Sequence, residues 1–337
     1  MKIAIIGAGM AGLSAANALS ERHHVRLFDK SRGVGGRMST RYAGDYEFDH
    51  GAQYFTVSDP EFQALIDSVR RDGHVAPWHS RGLYVRDGVI EADRGRPRWV
   101  GTPRMNSLPK AMARGLSIDL GRRIASVTGQ ADDLRLTFED GSREGPFDRV
   151  ICTAPAPQTA QILPNETPLQ SVLARVRMQA CFAVMVGLED RFDPGWDSLR
   201  LSDLPVSWMA RNSAKPGRDS HLTSLVIHAA PDWSDRYAEA DRADVLATLL
   251  ETASTICERP LQDAPHLALH RWLYAFSDQP PVTVDGVAAH EQDCLIDRDR
   301  GIICAGDWCV GGRVEGAFIS GRAAAKAVDS VATERNS

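Results

Sequence analysis

The sequence predicts an α/β protein of two lobes, and three observations predict it. Lys2 to Ile6 is a short apolar run that passes through a glycine turn into a helix-spaced stretch of small residues, Ala11 to Arg22, and returns to strand character at His24 to Phe28. That is a β-α-β opening. Toward the other end, Gly301 to Gly306 reads as a buried strand and Val314 to Val328 as a small-residue helix, so the chain comes back to a strand-then-helix unit. From about Leu169 to Ala275, strand-like runs at Cys181 to Gly187 and Leu222 to His228 alternate with one amphipathic helix, Arg242 to Ile256, as in an α+β lobe with a mixed antiparallel sheet. A chain of 337 residues has room for both lobes, since single cores seldom grow past roughly 250 to 300 residues.

Between these landmarks, Tyr46 to Thr56 reads as a strand ending in a loop, and Asp59-Pro60-Glu61 carries the cap and first-turn residues of a helix over Phe62 to Arg71. Gly73 to Pro97 is rich in Gly and Arg, with alternating pieces at Leu83 to Val85 and Val89 to Glu91 that suggest a small hairpin. Leu134 to Phe138, the turn Glu139-Asp140-Gly141-Ser142 and Arg149 to Thr153 give a strand, a turn and a buried strand. Ala154-Pro155-Ala156-Pro157 then marks the expected crossing between lobes. The expected division is 1–60, 97–165 and 280–337 for the nucleotide-binding lobe, and 61–96 and 166–279 for the substrate lobe. There is no internal repeat.

The composition, 43% hydrophobic and 25% charged, is that of a globular protein. A net charge of -5 and a pI near 6.1 argue against a nucleic-acid surface, which needs a basic face. No stretch approaches the roughly 20 apolar residues of a membrane span, and Gly7, Gly9 and Gly12 interrupt the opening run before it resembles a signal peptide. The six cysteines form no Cys-x-x-Cys pair and no metal-ligand spacing, so the expectation is a cytoplasmic protein with free thiols and no metal.

Gly7-Ala8-Gly9-Met10-Ala11-Gly12 is a GxGxxG between a strand and a helix. Its glycines permit a tight turn, close approach of a pyrophosphate and close helix packing, and the helix N-terminus faces the phosphates. Asp29 ends the second strand, where a carboxylate can accept ribose hydroxyls. Asp29-Lys30-Ser31-Arg32-Gly33-Val34-Gly35-Gly36-Arg37-Met38 resembles the second glycine motif of the flavin amine oxidase superfamily. Its paired glycines let the backbone run beside a pyrophosphate, and Arg37 offers charge-assisted donors to a phosphate oxygen. The fold this implies is a two-dinucleotide-binding, Rossmann-like FAD domain carrying the α+β substrate domain.

Asp49-His50-Gly51-Ala52-Gln53-Tyr54-Phe55-Thr56, Arg98-Trp99-Val100-Gly101, His270-Arg271-Trp272-Leu273-Tyr274-Ala275, Gly306-Asp307-Trp308-Cys309 and Gly312-Arg313-Val314-Glu315-Gly316-Ala317 together resemble bacterial renalases from the first strand to the last helix. The resemblance implies noncovalent FAD and oxidation of dihydro-NAD(P) isomers with the hydride at ring position 2 or 6. It also implies NAD(P)+ as product, O2 as electron acceptor and H2O2 release. It places Asp307 on the ribityl hydroxyls, the backbone at Val314 on the flavin pyrimidine, Ala52 and Gln53 against the isoalloxazine, and Ile124 on the adenine side. With Gly7, Gly9, Met10, Ala11, Gly12, Asp29, Lys30, Gly36 and Arg37, these form the expected cofactor set.

The aromatics Tyr54, Phe55, Trp99, Trp272 and Trp308 offer walls for a flat slot over the flavin, at least two of them being expected in the core. Thr56, Val57, Ser58, Val100 and Cys181 complete the expected substrate face, Cys181 standing where the family can hold a hydroxyl residue such as threonine. Arg98 and Arg313 are candidates for substrate phosphates or solvated surface. His228 and His270 read as core histidines rather than bases, and no side chain is assigned as catalytic. No Ser-Gly-Gly-Cys-Tyr stretch of the covalent flavin enzymes is present, and no nucleophile elbow, zinc helix or P-loop. Two other readings share these motifs: an amine oxidase or desaturase-like flavoenzyme, and a noncatalytic flavin-binding module.

Overall fold

The computed structural model describes residues 1–277 and 293–334; residues 278–292 and 335–337, which include part of the expected nucleotide-binding lobe, lie outside them. The opening run forms the strand Lys2–Ile6 inside a six-stranded sheet. The sheet order is Leu295–Asp297, Ile302–Cys304, Arg149–Cys152, Lys2–Ile6, His24–Asp29, Ser117–Leu120, all parallel except the first pair. Ile3, Ala4 and Ile5 are wholly buried because both faces of the sheet are covered, which is why the sequence there is apolar without alternation.

On one face lie the helix Met10–Leu19 and the long C-terminal helix Arg313–Glu334. The two touch so closely that a Cβ on Gly321 would sit 2.2 Å from the Ala11 carbonyl oxygen. The helix Pro60–Arg71 joins them through Phe62, whose ring is 4.9 Å from that of Phe318. On the other face Phe28 and Trp308 share an apolar cluster with Phe138 and Phe147 of the three-stranded sheet Ile124–Thr128, Leu134–Phe138 and Arg143–Phe147.

The second sheet has seven strands in the order His266–Ser277, Met178–Leu188, Thr223–Ala229, Val206–Arg211, Ser198–Leu201, Gly82–Arg86, Val89–Ala92. It is mixed, since only Ser198–Leu201 and Gly82–Arg86 run parallel. The helix Arg242–Cys257 buries Val245, Leu249, Leu250, Ala253 and Cys257, an apolar stripe at three- and four-residue spacing, against this sheet. The expected hairpin near residues 83–91 is the edge of this sheet.

Three elements differ from expectation. Only Tyr46–Phe48 of the run Tyr46 to Thr56 is a strand; at Asp49 the chain turns to bury a carboxylate, and one isolated bridge, Phe55 to Trp99, follows. The prolines after Thr153 open a helix, Ala156–Ile162, since a proline in the first turn lacks only an N–H that the helix leaves unpaired anyway. The strand Arg143–Phe147 escapes notice because Arg-Glu-Gly-Pro-Phe has neither alternation nor β-branched residues.

Candidate functional site

Two glycine loops meet at the C-terminal edge of the six-stranded sheet. In the first, Gly7 has φ +107° and Gly12 lies so near it that a Cβ there would be 1.9 Å from the Gly7 carbonyl oxygen. A Cβ on Gly9, by contrast, would meet nothing within 4 Å. Gly9 caps the helix Met10–Leu19 with no side-chain bond, and the first turn holds no acidic residue. A bare backbone concavity at the positive end of a helix fits a dinucleotide phosphate. Met10 and Ala11, 5% exposed each, pack into the core.

The second loop is bonded to the first: Gly35 N donates to the Ala8 carbonyl at 2.8 Å, and a Cβ on Gly36 would touch Gly9 Cα at 3.6 Å. Asp29 is buried and ties both loops, one oxygen accepting Ala8 N and the other Ser31 N, each at 2.7 Å. Lys30 points outward to Gln158, its ammonium pushed down by burial and by Arg123. Ile124, 8% exposed, sits in the apolar cluster with Phe28, one residue before Asp29.

Arg37 and Asp307, assigned by the sequence to different parts of a cofactor, are bonded to each other. Arg37 Nη1 donates to one carboxylate oxygen at 2.9 Å and Nη2 to the other at 2.5 Å, while Nη1 also reaches the Ala275 carbonyl at 2.9 Å. Both terminal guanidinium nitrogens thus bond within the chain. The physical reason is that the Asp307 side chain, only 6% exposed, requires a counter-charge. Val314 stands at the start of the C-terminal helix, and its neighbour Glu315 accepts the backbone N–H groups of Ser58 and Asp59.

Against the second glycine loop lies the segment 49–53. Ala52 N donates to the Arg37 carbonyl at 2.8 Å, and Gly51 comes so close that a Cβ would be 2.0 Å from the same oxygen. Gln53 donates to the Gly51 carbonyl at 3.1 Å and accepts from Lys215 Nζ at 3.3 Å. Trp272 Nε1 donates to the His50 carbonyl at 3.0 Å, and its ring stacks on the His50 imidazole at 5.0 Å with His270 edge-on at 4.4 Å. His228 Nε2 lies 3.1 Å from the same His50 carbonyl. Burial, the leading cause in each case, lowers His50 to about 3 and His228 and His270 to about 4, so all three are neutral at pH 7.

The expected substrate residues divide. Tyr54 is half-buried, its hydroxyl accepting from Arg200 at 3.0 Å and its ring 5.5 Å from that of Trp208. Trp99 is half-buried under the Arg70 guanidinium at 5.4 Å. Thr56 and Val57 are half-buried, and Ser58 is exposed, accepting from Arg96 at 3.0 Å.

Other members are corrected to core. Trp308 is wholly buried with its indole N–H on the Ala154 carbonyl at 3.1 Å, Phe55 packs on Phe62 at 5.8 Å, and Val100 is wholly buried. Cys181 is buried toward the Ala229 carbonyl, and burial pushes its thiol up to about 12. Arg98 is buried and ion-paired with Asp93, with Ser198 accepting at 2.9 Å, so a substrate phosphate would have to break a buried pair to reach it. Arg313 is exposed with φ 75°.

Lys215, Arg218 and Arg200 carry no local signal of a functional role. A Lys-Pro-Gly-Arg run reads locally as a solvated turn, and only tertiary packing buries it.

A family model described as flavin containing amine oxidoreductase matches residues 88–329, and one described as NAD(P)-binding Rossmann-like domain matches residues 5–69. Coproporphyrinogen III oxidase of Mycobacterium tuberculosis is 25% identical over 156 residues, a match covering 45% of this chain and 30% of that protein. The structure of cyclohexylamine oxidase from Brevibacterium oxydans IH-35A superposes with a TM-score of 0.76 at 15% identity, covering 100% of this chain and 99% of that one. A putative protoporphyrinogen oxidase from Exiguobacterium sp. 255-15 gives 0.75 at 13% identity, with 99% of both chains covered. At these identities the two structures speak for the fold.

Proposed function

The chain belongs to the flavin containing amine oxidoreductases, as an FAD-dependent oxidoreductase of that superfamily, and from that premise we propose that it oxidises a carbon–hydrogen bond adjacent to nitrogen, with noncovalent FAD and O2 as acceptor. The observation that carries the reading is the joining of the two glycine loops to the segment 49–53 through Gly35 N, Ala52 N and the Arg37 carbonyl. Phosphate-binding backbone and ring-facing backbone thereby become one surface, with Trp272 and His50 stacked beside it.

FAD held there would supply the redox chemistry, a two-electron oxidation of the donor with O2 as final acceptor and H2O2 as its product. The chain supplies placement. Gly9 would leave room for the pyrophosphate, the uncapped helix end would stabilise its charge, and the backbone of Ala52 and Gln53 would carry the ring. Tyr54, Trp99 and Trp272 border the donor's approach and limit water. The nitrogen lone pair of the donor assists departure of the hydride, so no side chain has to remove a proton from carbon. The neutral histidines 50, 228 and 270 agree with that, since none adds a positive charge beside a donor that becomes cationic.

Two donors fit this bond class. An amine is favoured by the family match and by the similarity in fold to a cyclohexylamine oxidase. A dihydro-NAD(P) isomer reduced at position 2 or 6 also carries its hydride next to the ring nitrogen, and the five sequence segments that resemble bacterial renalases favour it. Anaerobic stopped-flow absorbance at the oxidised-flavin band tests both, mixing the protein separately with cyclic and linear amines, 2- and 6-dihydro-NAD(P), and ordinary 4-dihydro-NAD(P)H. Bleaching by amines alone, or by a 2- or 6-isomer alone, assigns the donor. Oxidised flavin that none of them bleaches refutes the enzymatic proposal and leaves a binding module.

A further inference from the structure

Three buried charges stand behind the segment 49–53, and they do not balance. Asp49 Oδ2 accepts from Lys215 Nζ at 3.2 Å and from Arg218 Nη2 at 2.6 Å. Side-chain exposure is 1% for Asp49, 0% for Lys215 and 2% for Arg218. The other oxygen, Oδ1, accepts the Thr40 hydroxyl at 2.7 Å and Met105 N at 3.1 Å. One carboxylate thus faces two cations, and among the described residues no second anion pairs with either.

Arg218 alone would neutralise Asp49, and it also donates to the Gly101 and Pro216 carbonyls, both at 2.7 Å, so it already serves as a staple. The remaining bond of Lys215 runs to Gln53 Oε1 at 3.3 Å, which turns the amide nitrogen of Gln53 back onto the carbonyls of Asp49 and Gly51. Burial lowers the Lys215 ammonium to about 8, with Asp49 opposing and Arg218 adding to the shift, and the Asp49 carboxylate at 3.2 Å favours its charged form. A surplus cation in a dry interior is unfavourable by itself and becomes favourable when negative charge arrives nearby.

We infer that Lys215 is a positioning residue of the flavin site: it fixes Gln53 and the backbone 51–53, and its uncompensated charge favours electron acceptance by a flavin lying on that segment. The inference rests on the FAD reading above. Two-electron reduction adds negative charge to the ring, so the cation stabilises the reduced form relative to the oxidised one.

The test is the midpoint potential of bound flavin, measured by dye equilibration in wild type, Lys215→Met and Lys215→Arg. Lys215→Met leaves Asp49 and Arg218 as a neutral buried pair, so folding is expected to survive; if it does not, Lys215→Gln carries the same comparison. The expected result is a tenfold or greater loss in preference for reduced flavin, a fall of about 30 mV for a two-electron couple, with Lys215→Arg retaining the wild-type value. An unchanged potential in a folded, flavin-loaded Lys215→Met protein, or an equal fall in Lys215→Arg, overturns the inference while leaving the FAD reading intact. A wild-type protein that neither contains nor takes up FAD sinks the FAD reading itself, and this inference with it.

Discussion

Gly9 and Gly12 belong to one motif, yet alanine at each should fail in a different way. Gly12 is the third residue of the helix Met10–Leu19, where alanine gains about 1 kcal/mol of helix propensity over glycine. Its Cβ, however, would lie 1.9 Å from the Gly7 carbonyl oxygen and 3.1 Å from Thr153 Oγ1. The nearer atom is backbone just past a strand that is buried from Ile3 onward and cannot rotate away, so the helix must lift from the sheet along a face that buries Leu13, Ala16 and Leu19. Overpacking of this kind costs about 1–3 kcal/mol or more and outweighs the propensity gain. The net loss for Gly12→Ala is about 2 kcal/mol, roughly 3 °C in Tm for a chain of this size, already present in the apoprotein.

Gly9 has φ -79°, which any residue adopts, and open space where a Cβ would go. Gly9→Ala should leave apoprotein stability within about 0.5 kcal/mol while weakening FAD by tenfold or more, because the methyl occupies the space the pyrophosphate needs. Thermal unfolding of flavin-stripped protein and a fluorescence titration with FAD separate the two effects. A Gly9→Ala protein that binds FAD like wild type would falsify the placement of the cofactor on this loop. A Gly12→Ala apoprotein with wild-type Tm would refute the packing argument.

Arg37→Ala removes the counter-charge of Asp307, whose side chain is 6% exposed, and should cost about 3 kcal/mol. Adding Asp307→Asn should recover at least 1 kcal/mol, and strictly additive urea-unfolding energies would show that the pair is not coupled. FAD retention should fall in Arg37→Ala, as expected of an arginine in the second glycine motif; unchanged flavin content would exclude a cofactor role. His50, His228 and His270 have folded pKa values depressed to about 3, 4 and 4, below the unfolded value near 6.5. The unfolded chain therefore binds protons that the folded chain does not, and stability present above about pH 6.5 is lost as pH falls toward 4. Buried His228 alone contributes about 2 kcal/mol of that loss by pH 5, and equal urea midpoints at pH 7 and 5 would contradict it. Asp59 caps the helix Pro60–Arg71 by accepting Phe62 N at 2.8 Å, so Asp59→Ala should lower stability by about 1 kcal/mol. A change within 0.3 kcal/mol would mean that the cap carries no load.

The α/β opening, the glycine loops and the amphipathic helix Arg242–Cys257 were legible in the sequence because each is dictated by local requirements. A strand buried on both faces must be apolar throughout, a turn with φ +107° favours glycine at position 7, and a helix lying on a sheet must repeat its apolar residues every three or four positions. The loops around the candidate site were legible only where backbone geometry dictates the residue, as at Gly7 and Gly12. Side chains were less so. Nothing near Trp308 distinguishes a wall of a slot from a core residue, and nothing near Arg98 reveals that Asp93 and Ser198 close around it. The pairing of Arg37 with Asp307 across 270 positions, and the burial of Lys215 and Arg218 on Asp49, arise when strands distant in sequence become neighbours. Local sequence determined which backbone conformations form. Only the tertiary structure decided which charges lose their water together, since desolvation depends on every segment that closes over a group and not on the residues beside it in the chain.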